Sequence, residues 1–458
     1  MSHTLSVVIM AAGLGQRMNS DLPKVLHSLG GQPLLAHVLT AVGNLNPHNT
    51  VVVVGHGANL VQAAFADRGL RFALQVPQHG TGHAVMQAAP HLPDEGVVLI
   101  LNGDVPLVQA GTLNQVVAAA QSGALVLLTH ELDDAGSYGR VVRGPDANIR
   151  RIVEAKDATA EERRIREWYT GSMAVPARHL KSWLARLGNQ NVQKEYYLTD
   201  LVALAVTDGV PVTSIKAPTE WEVQGVNRRS EQARLERTLQ QLRAQMLMEQ
   251  GVTLADPARL DIRGSLSCGR DVTIDVNCVF EGSVKLGAHV QIGPHCVIRN
   301  ATIEDGTRIE AFTHIDEADV GPGARIGPYA RLRPGTTLGA DVHIGNFVEV
   351  KASNFGTGSK ANHLAYVGDS SVGSQVNIGA GTITCNYDGA NKHRTIIEDN
   401  VHIGSDVQLV APVTVKAGST IAAGTTVWKD TAAGELTLNP KQQTTRPGWQ
   451  RPVKNKKA

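Results

Sequence analysis

A chain of 458 residues is long enough for two or more domains. Its 43 Lys plus Arg against 42 Asp plus Glu exclude the strong charge bias of a nucleic-acid or anionic-membrane binder. Hydrophobic residues make up 42% and aromatics only 4%, with 46 glycines, so the core is ample and part of the chain should consist of tight, repeated turns.

No apolar run reaches membrane-spanning length, and the run Val7 to Ala12 has no basic region before it, so a soluble, cytoplasmic protein is expected. The basic tail from Lys454 to Lys457 reads as a solvated terminus. Cys268, Cys278, Cys296 and Cys385 form no CxxC pair, so free thiols are expected rather than a zinc site or a disulfide framework.

From residue 5 to 227, apolar runs alternate with helical patterns, as in an α/β domain with a largely parallel sheet. Ser6–Met10, Thr50–Val54, Val97–Leu101 and Leu125–Thr129 read as strands covered on both faces. Such sheets bind ligands beyond the carboxyl ends of their strands. At the first end stands Gly13-Leu14-Gly15-Gln16-Arg17-Met18, then Pro23-Lys24. A glycine loop after a strand lets backbone N–H groups approach phosphate, and Arg17 and Lys24 supply charge for a leaving pyrophosphate. The loop lacks the third glycine of a dinucleotide fingerprint and the Gly-Lys-Ser/Thr of a P-loop, so alone it is also compatible with a plain turn.

Asn102-Gly103-Asp104 closes a second strand, where a carboxylate can hold Mg²⁺ beside phosphates or merely form an Asx-turn. Gln75 and Gly80-Thr81-Gly82-His83-Ala84 have the make-up of a base-recognition loop. Between 228 and 250, Leu235, Leu239, Leu242 and Met246 recur at helical spacing, with Asn227 and Gly251 as expected caps of a connector helix.

Beyond about 262 a six-residue repeat takes over. Ile292, Ile298, Ile309, Ile326, Leu332, Leu338, Ile344 and Val350 share a register, which resumes at Val367, Val372 and Ile378 and again from Ile397 to Val427. Gly often follows the aliphatic residue, as at Gly293, Gly327 and Gly345, and is expected to take the positive φ of a corner. Strand and corner at this period spell a parallel β-helix. Lys351 to Tyr366 and Thr384 to Ile396 break the pattern and are expected to project as loops carrying His363, Tyr366, Asn386, Tyr387 and Lys392. His363 suits a general base, with a solvated loop histidine as the bland alternative.

The Ala11-Ala12-Gly13-x-Gly15-x-Arg17-Met18 and Pro23-Lys24 pattern resembles the sugar-1-phosphate nucleotidyltransferases. Ser20 to His27, Gly80 to Ala84, Ile378 to Thr382 and Cys385 to Gly389 extend the match. The whole chain resembles the bacterial bifunctional N-acetylglucosamine-1-phosphate uridylyltransferase / glucosamine-1-phosphate acetyltransferase family. The resemblance implies a Rossmann-like domain over 1–227, a linker helix over 228–250, and a left-handed β-helix with C-terminal tail over 251–458. It also implies a homotrimer and cytoplasmic small-molecule chemistry: acetyl transfer from acetyl-CoA to glucosamine-1-phosphate, then uridylyl transfer from UTP.

In the first site the resemblance places Met10, Ala11, Ala12, Gly13, Gln75, Gly80, Thr81, Asn102 and Gly103 around the uridine nucleotide and Lys24 on its phosphates. Asp104 and Asn227 would hold Mg²⁺, and Gly139 and Glu154 would touch the sugar. In the second, between subunits, Arg333, Lys351, Tyr366 and Asn377 would bind the amino-sugar phosphate. Ala380, Asn386, Tyr387, Ser405 and Ala423 would bind acetyl-CoA, with His363 as base. Three positions depart from the pattern. Asn102 stands where Tyr is common, Tyr169 where an Asn contacts the nucleotide-sugar, and Pro440-Lys441 where an Arg reaches the cofactor. Two other readings use the same pieces: a nucleotidyltransferase with the β-helix as scaffold, and a non-catalytic regulatory subunit. The His363 segment and the Asn386–Gly389 insertion speak against the first, and Lys24 with Asp104 against the second.

Overall fold

A computed structural model describes residues 4–454, so the tail beyond Lys454 lies outside the described residues. The chain divides into two compact units, Met1–Leu242 and Arg243–Ala458.

The first unit is an α/β domain. Its sheet runs Val212–Lys216, Leu125–Glu131, Glu167–Pro176, Val97–Asn102, Leu5–Ala11, Asn49–Val54, Arg71–Leu74. All neighbours pair in parallel except Glu167–Pro176, which is antiparallel to both of its partners. The hairpin Arg140–Arg143 and Ile149–Val153 joins that antiparallel strand. Val51 to Val54 and Val97 to Leu101 are buried along their whole length, because helices pack on both faces and form two separate apolar layers. Met10 lies opposite both Val53 and Asn102, so the carboxyl ends of the central strands finish side by side.

The second unit is a parallel β-helix whose strand arrangement fits a left-handed coil. Apart from the nine-residue strands Leu260–Cys268 and Cys278–Leu286, its strands have two to four residues, and most pair with equivalents 17 or 18 residues on, as in Arg325↔His343 and His343↔Lys360. The aliphatic register fills a continuous core from Val252 to Val427.

The β-helix departs from two expectations. The segment Lys351 to Tyr366 does not project. It forms the strands Asn354–Phe355 and Lys360–His363, with Phe355 and Ala361 buried in the core. The repeat continues with a phenyl ring and a methyl in place of the branched aliphatics, which hid it. Corner geometry also differs from expectation. Gly345 does not have a positive φ; a Cβ there would lie 2.0 Å from the Asn362 carbonyl oxygen of the next coil. Gly is needed there for close approach of stacked coils. Gly327 does have φ near 100°, but after all three of these glycines a left-handed residue stands two positions on, at His295, Tyr329 and Phe347. The second break, by contrast, is a true excursion, since Asn377 and His402 pair although 25 residues separate them.

The connector helix spans Arg229–Glu249. Leu235 is buried with Met18 and Leu29 in the first unit, while Ala244 and Leu247 belong to the β-helix core. Met246, expected on the apolar stripe, is exposed. Gly251, with φ near 91°, ends the helix as its neighbour Val252 donates back to the Leu247 carbonyl. Asn227 does not cap it; the Glu231 carboxylate accepts from the N–H groups of Asn227 and Arg228. Of the four thiols, all free, Cys278 and Cys296 are buried and Cys268 and Cys385 half-buried.

Candidate active sites

In the first unit the chain leaves Ala11 at the strand end and turns at Gly15, φ near 61°, into a single helical turn at Gln16–Met18. Buried Met18 and Val25 anchor the loop, so Arg17 and Lys24 project from a fixed base. Gly103 donates its N–H to the Met10 carbonyl, placing Asp104 over the loop. The Lys24 ammonium pairs with the Asp104 carboxylate and donates to Asn227 Oδ1 at 3.1 Å. Arg17 donates to the same oxygen at 2.9 Å. Four residues separated by up to 210 positions thus converge, and the Asn227 side chain is spent here rather than on the helix.

Asp104 and Asn227 each offer an oxygen to one ammonium. That donor set fits Mg²⁺, which takes one or two protein oxygens and completes its shell with phosphates and water. No cluster of three or more His, Cys, Asp or Glu suited to a metal occurs among the described residues, so such an ion would depend on substrate phosphates.

Buried Gln75 donates to the Gly80 carbonyl at 2.9 Å and lies 3.2 Å from His83 Nδ1. Gly80 has φ near 101°, and a Cβ there would lie 2.7 Å from the Tyr196 carbonyl, so only glycine permits this turn. The Thr81 hydroxyl accepts from Leu198 N–H. Burial, with His79 adding, holds His83 below the usual histidine range. Across the sheet, the Gly139 carbonyl accepts from Tyr169 N–H, and Glu154 accepts from the Thr199 hydroxyl at 3.0 Å. Burial pushes the Glu154 carboxyl up; the Thr199 hydrogen bond opposes this, and nearby Asp157 and Asp200 add to it. The Tyr169 hydroxyl is buried with no partner, and burial holds its phenol well above the ordinary range. Asn102 lies over Gly171, where a Cβ would stand 2.0 Å from its amide nitrogen.

In the β-helix, coil register brings the second set together. Lys360↔Asn377↔His402 and Ala361↔Ile378↔Ile403↔Ile421 are stacked pairs. Two residues further along each coil, the same register stacks His363, Ala380, Ser405 and Ala423 in one line. Backbone bonds Gly381 to Leu364, Asp406 to Ala380 and Gly424 to Ser405 hold it. Lys441 reaches the end of this line and donates to the Gly424 carbonyl. His363 Nδ1 lies 2.9 Å from Asn346 Oδ1. An amide oxygen only accepts, so Nδ1 of the exposed ring donates, and in the neutral imidazole the lone pair then falls on Nε2.

Arg331↔Glu349↔Tyr366 forms a second stacked row. Arg333 donates to Glu349 at 2.8 Å, and Lys351 lies 3.3 Å from Asp369. The Tyr366 ring folds across Gly368, where a Cβ would be 2.4 Å from the hydroxyl. Asn386 donates to Asp369 and, at 3.4 Å, to Tyr366. Exposed Tyr387 is held by its hydroxyl on Gly389 O. Two residues here had no assigned role in the sequence. Lys392 stands against Lys351, whose charge depresses the Lys392 ammonium, while the Asp369 carboxylate beside Lys351 favours its charged form. Lys392 was legible only as a cation in an insertion, and Asp369 as an ordinary corner residue.

Residues 7–187 match the MobA-like NTP transferase domain, and residues 262–357 match the GMPPB C-terminal domain. The chain is 60% identical to the Bifunctional protein GlmU of Bordetella petrii, over 98% of this chain and 99% of that one. It is 58% identical to that of Thiobacillus denitrificans over 100% of both. The Cupriavidus taiwanensis protein of the same name is 58% identical over 99% of this chain and 100% of its own. The chain belongs to the bifunctional GlmU family, acetyltransferase and uridylyltransferase in one polypeptide.

Proposed function

We propose that the two activities occupy the two residue sets described above, with uridylyl transfer in the 1–227 domain and acetyl transfer in the 251–458 β-helix joined by the 228–250 helix. The observation that carries the reading is the convergence of Arg17, Lys24, Asp104 and Asn227 at the ends of the central strands.

In the acetyl-transfer site Arg333, Lys351, Tyr366 and Asn377 hold glucosamine-1-phosphate, with Lys392 as a further cation toward its phosphate. Acetyl-CoA runs along Ala380, Ser405 and Ala423, flanked by Asn386 and Tyr387, with Lys441 at the far end as a point charge. His363 Nε2 takes the proton as the substrate amine attacks the thioester carbonyl. The new N–C bond forms, the C–S bond breaks, and the proton passes to the departing CoA sulfur. Asn346 fixes the tautomer this step needs.

In the uridylyl site Met10 to Gly13, Gln75, Gly80, Thr81, Asn102 and Gly103 line the UTP pocket, and Gly139 and Glu154 face the N-acetylglucosamine-1-phosphate. The sugar phosphate oxygen attacks the α-phosphorus and the bond to the β-phosphate breaks, releasing pyrophosphate. Lys24 and Arg17 neutralise the charge that gathers on the leaving group. Mg²⁺ bound at Asp104 and Asn227 would supply Lewis-acid stabilisation of those phosphates. All of these substrates and products are water-soluble, which supports a cytoplasmic enzyme, and no described helix is long and apolar enough to cross a membrane. The trimer follows the resemblance that places the acetyl-CoA cleft between subunits.

Incubating the purified protein with glucosamine-1-phosphate, acetyl-CoA, UTP and Mg²⁺ should yield CoA, pyrophosphate and UDP-N-acetylglucosamine. Adding a chelator should stop pyrophosphate release and leave CoA release running. Loss of both together would contradict the assignment of the ion to the first site alone.

A further inference from the structure

The excursion between Cys385 and Thr395 is a self-supporting hairpin. Tyr387 and Lys392 form an antiparallel bridge. The Asp388 carboxylate accepts from Ala390 N–H, Asn391 N–H and His393 Nε2, and these bonds hold it well below the usual range. His393 N–H donates to the Asn386 carbonyl at 2.9 Å. A hairpin closed on itself moves as one body, so where it rests depends on a few attachments to the coils beneath.

One attachment is Arg394 on the Ser371 hydroxyl, at the hairpin's exit. A second, at its entrance, is Asp369. Asp369 sits at a left-handed corner with φ near 50°. Its N–H donates to the Lys351 carbonyl and its own carbonyl accepts from Thr395 N–H. Its carboxylate accepts from Asn386 Nδ2 and lies 3.3–3.4 Å from Lys351 Nζ. The charges around it are Lys351, Lys392 and Arg333, the last paired with Glu349, and the Tyr366 hydroxyl is bonded to the same Asn386 amide. Lys351 and Lys392 repel each other, and Asp369 is the carboxylate that Lys351 pairs with.

We propose that Asp369 is a positioning residue of the acetyl-transfer site, whose carboxylate moors the Asn386–Arg394 hairpin to Lys351 so that the acetyl-CoA contacts and the sugar-phosphate contacts are held at one fixed spacing. The proposal rests on the reading of the second site given above. Asp369 touches neither substrate in that reading; it acts through Asn386 on one side and Lys351 on the other.

The test compares Asp369→Gly, which keeps the left-handed corner and removes the carboxylate, with Asp369→Asn, which keeps an acceptor for Asn386 but loses the charge. Both are made in the full chain, beside Lys351→Ala. Asp369→Gly should lower kcat/KM for acetyl transfer roughly ten- to hundredfold, with KM raised for both acetyl-CoA and glucosamine-1-phosphate. Asp369→Asn should fall between it and the parent. Amide exchange should quicken across 386–394 and stay unchanged in the strand Ser370–Val372 and the neighbouring coils, and uridylyl transfer should not change. Lys351→Ala should raise KM for the sugar phosphate and leave KM for acetyl-CoA near the parent value. Normal acetyl-CoA KM and normal hairpin exchange in both Asp369 variants, with Lys351→Ala impaired, would overturn the mooring alone. An unimpaired Lys351→Ala would overturn the site reading and the mooring with it. Faster exchange throughout the coils would assign Asp369 to the stability of the solenoid and also overturn the proposal.

Discussion

Asp104→Asn keeps the size of the side chain and one acceptor for Lys24, and removes the charge that the reading gives to the cation. Uridylyl transfer should fall by two or more orders of magnitude, since clamping phosphate charge is worth several kcal/mol, and acetyl transfer should hold. His363→Ala reverses the pattern, with acetyl transfer down roughly 10²–10⁴-fold and uridylyl transfer near parent level. Steady-state rates of CoA and pyrophosphate release check both. Glu154 carries a pH prediction. Burial first raises its folded-state pKa, so the folded protein binds this proton more tightly than the unfolded chain does. Stability is therefore lost as pH rises from the usual carboxylate range through the raised value, and the ionised form is a cost at neutral pH. Glu154→Gln should melt higher than the parent at pH 8, by a margin that shrinks toward pH 5, while its KM for N-acetylglucosamine-1-phosphate rises. Melting curves at the two pH values, with the sugar-phosphate KM, check this. At this scale the sequence showed residue types but not their meeting. Arg17, Lys24 and Asp104 are legible as strand-end chemistry, whereas the spacing around Asn227 suggests only a helix cap and the resemblance alone pairs it with Asp104; its oxygen accepts from both cations. Tyr169 was legible only as a departure, and its unpartnered hydroxyl beside Glu154 follows from burial no spacing reveals.

Strand runs of pure Val, Ile and Leu announced the buried sheet, because sheets covered on both faces have no polar alternation to show. The antiparallel strand Glu167–Pro176 was harder to read: its polar Thr170 and Ser172 are buried, and the Thr170 hydroxyl is satisfied by the Leu128 carbonyl rather than by solvent. The hexapeptide register was plain wherever branched aliphatics carried it and vanished at Phe355 and Ala361, which perform the same packing with other shapes. That makes Phe355 a test of the element. Phe355→Ala should destabilise the β-helix by about 3 kcal/mol through the cavity it leaves. Denaturant unfolding of that unit should show the loss, and uridylyl transfer under native conditions should be unchanged. A Phe355→Ala protein as stable as the parent would mean that the coil at Asn354–Phe355 is not packed as described.

For the whole molecule, the reading requires two chemistries that share a chain but no reacting group, and a trimer around the acetyl-CoA cleft. Sedimentation equilibrium should give three times the 48.7 kDa chain mass. A monomer with full acetyl transfer would contradict a cleft built between subunits. The scaffold-only and regulatory-subunit readings are set aside by membership of a bifunctional family over nearly the whole length. The most direct test of two independent sites mixes two crippled proteins. With glucosamine-1-phosphate, acetyl-CoA, UTP and Mg²⁺, Asp104→Asn alone should stop at N-acetylglucosamine-1-phosphate, and His363→Ala alone should make almost nothing. Together they should form UDP-N-acetylglucosamine at close to the parent rate, because the acetylated intermediate leaves one protein and is used by the other. A mixture as inactive as its components would show that the two sites do not work as separate stations, and would contradict the account.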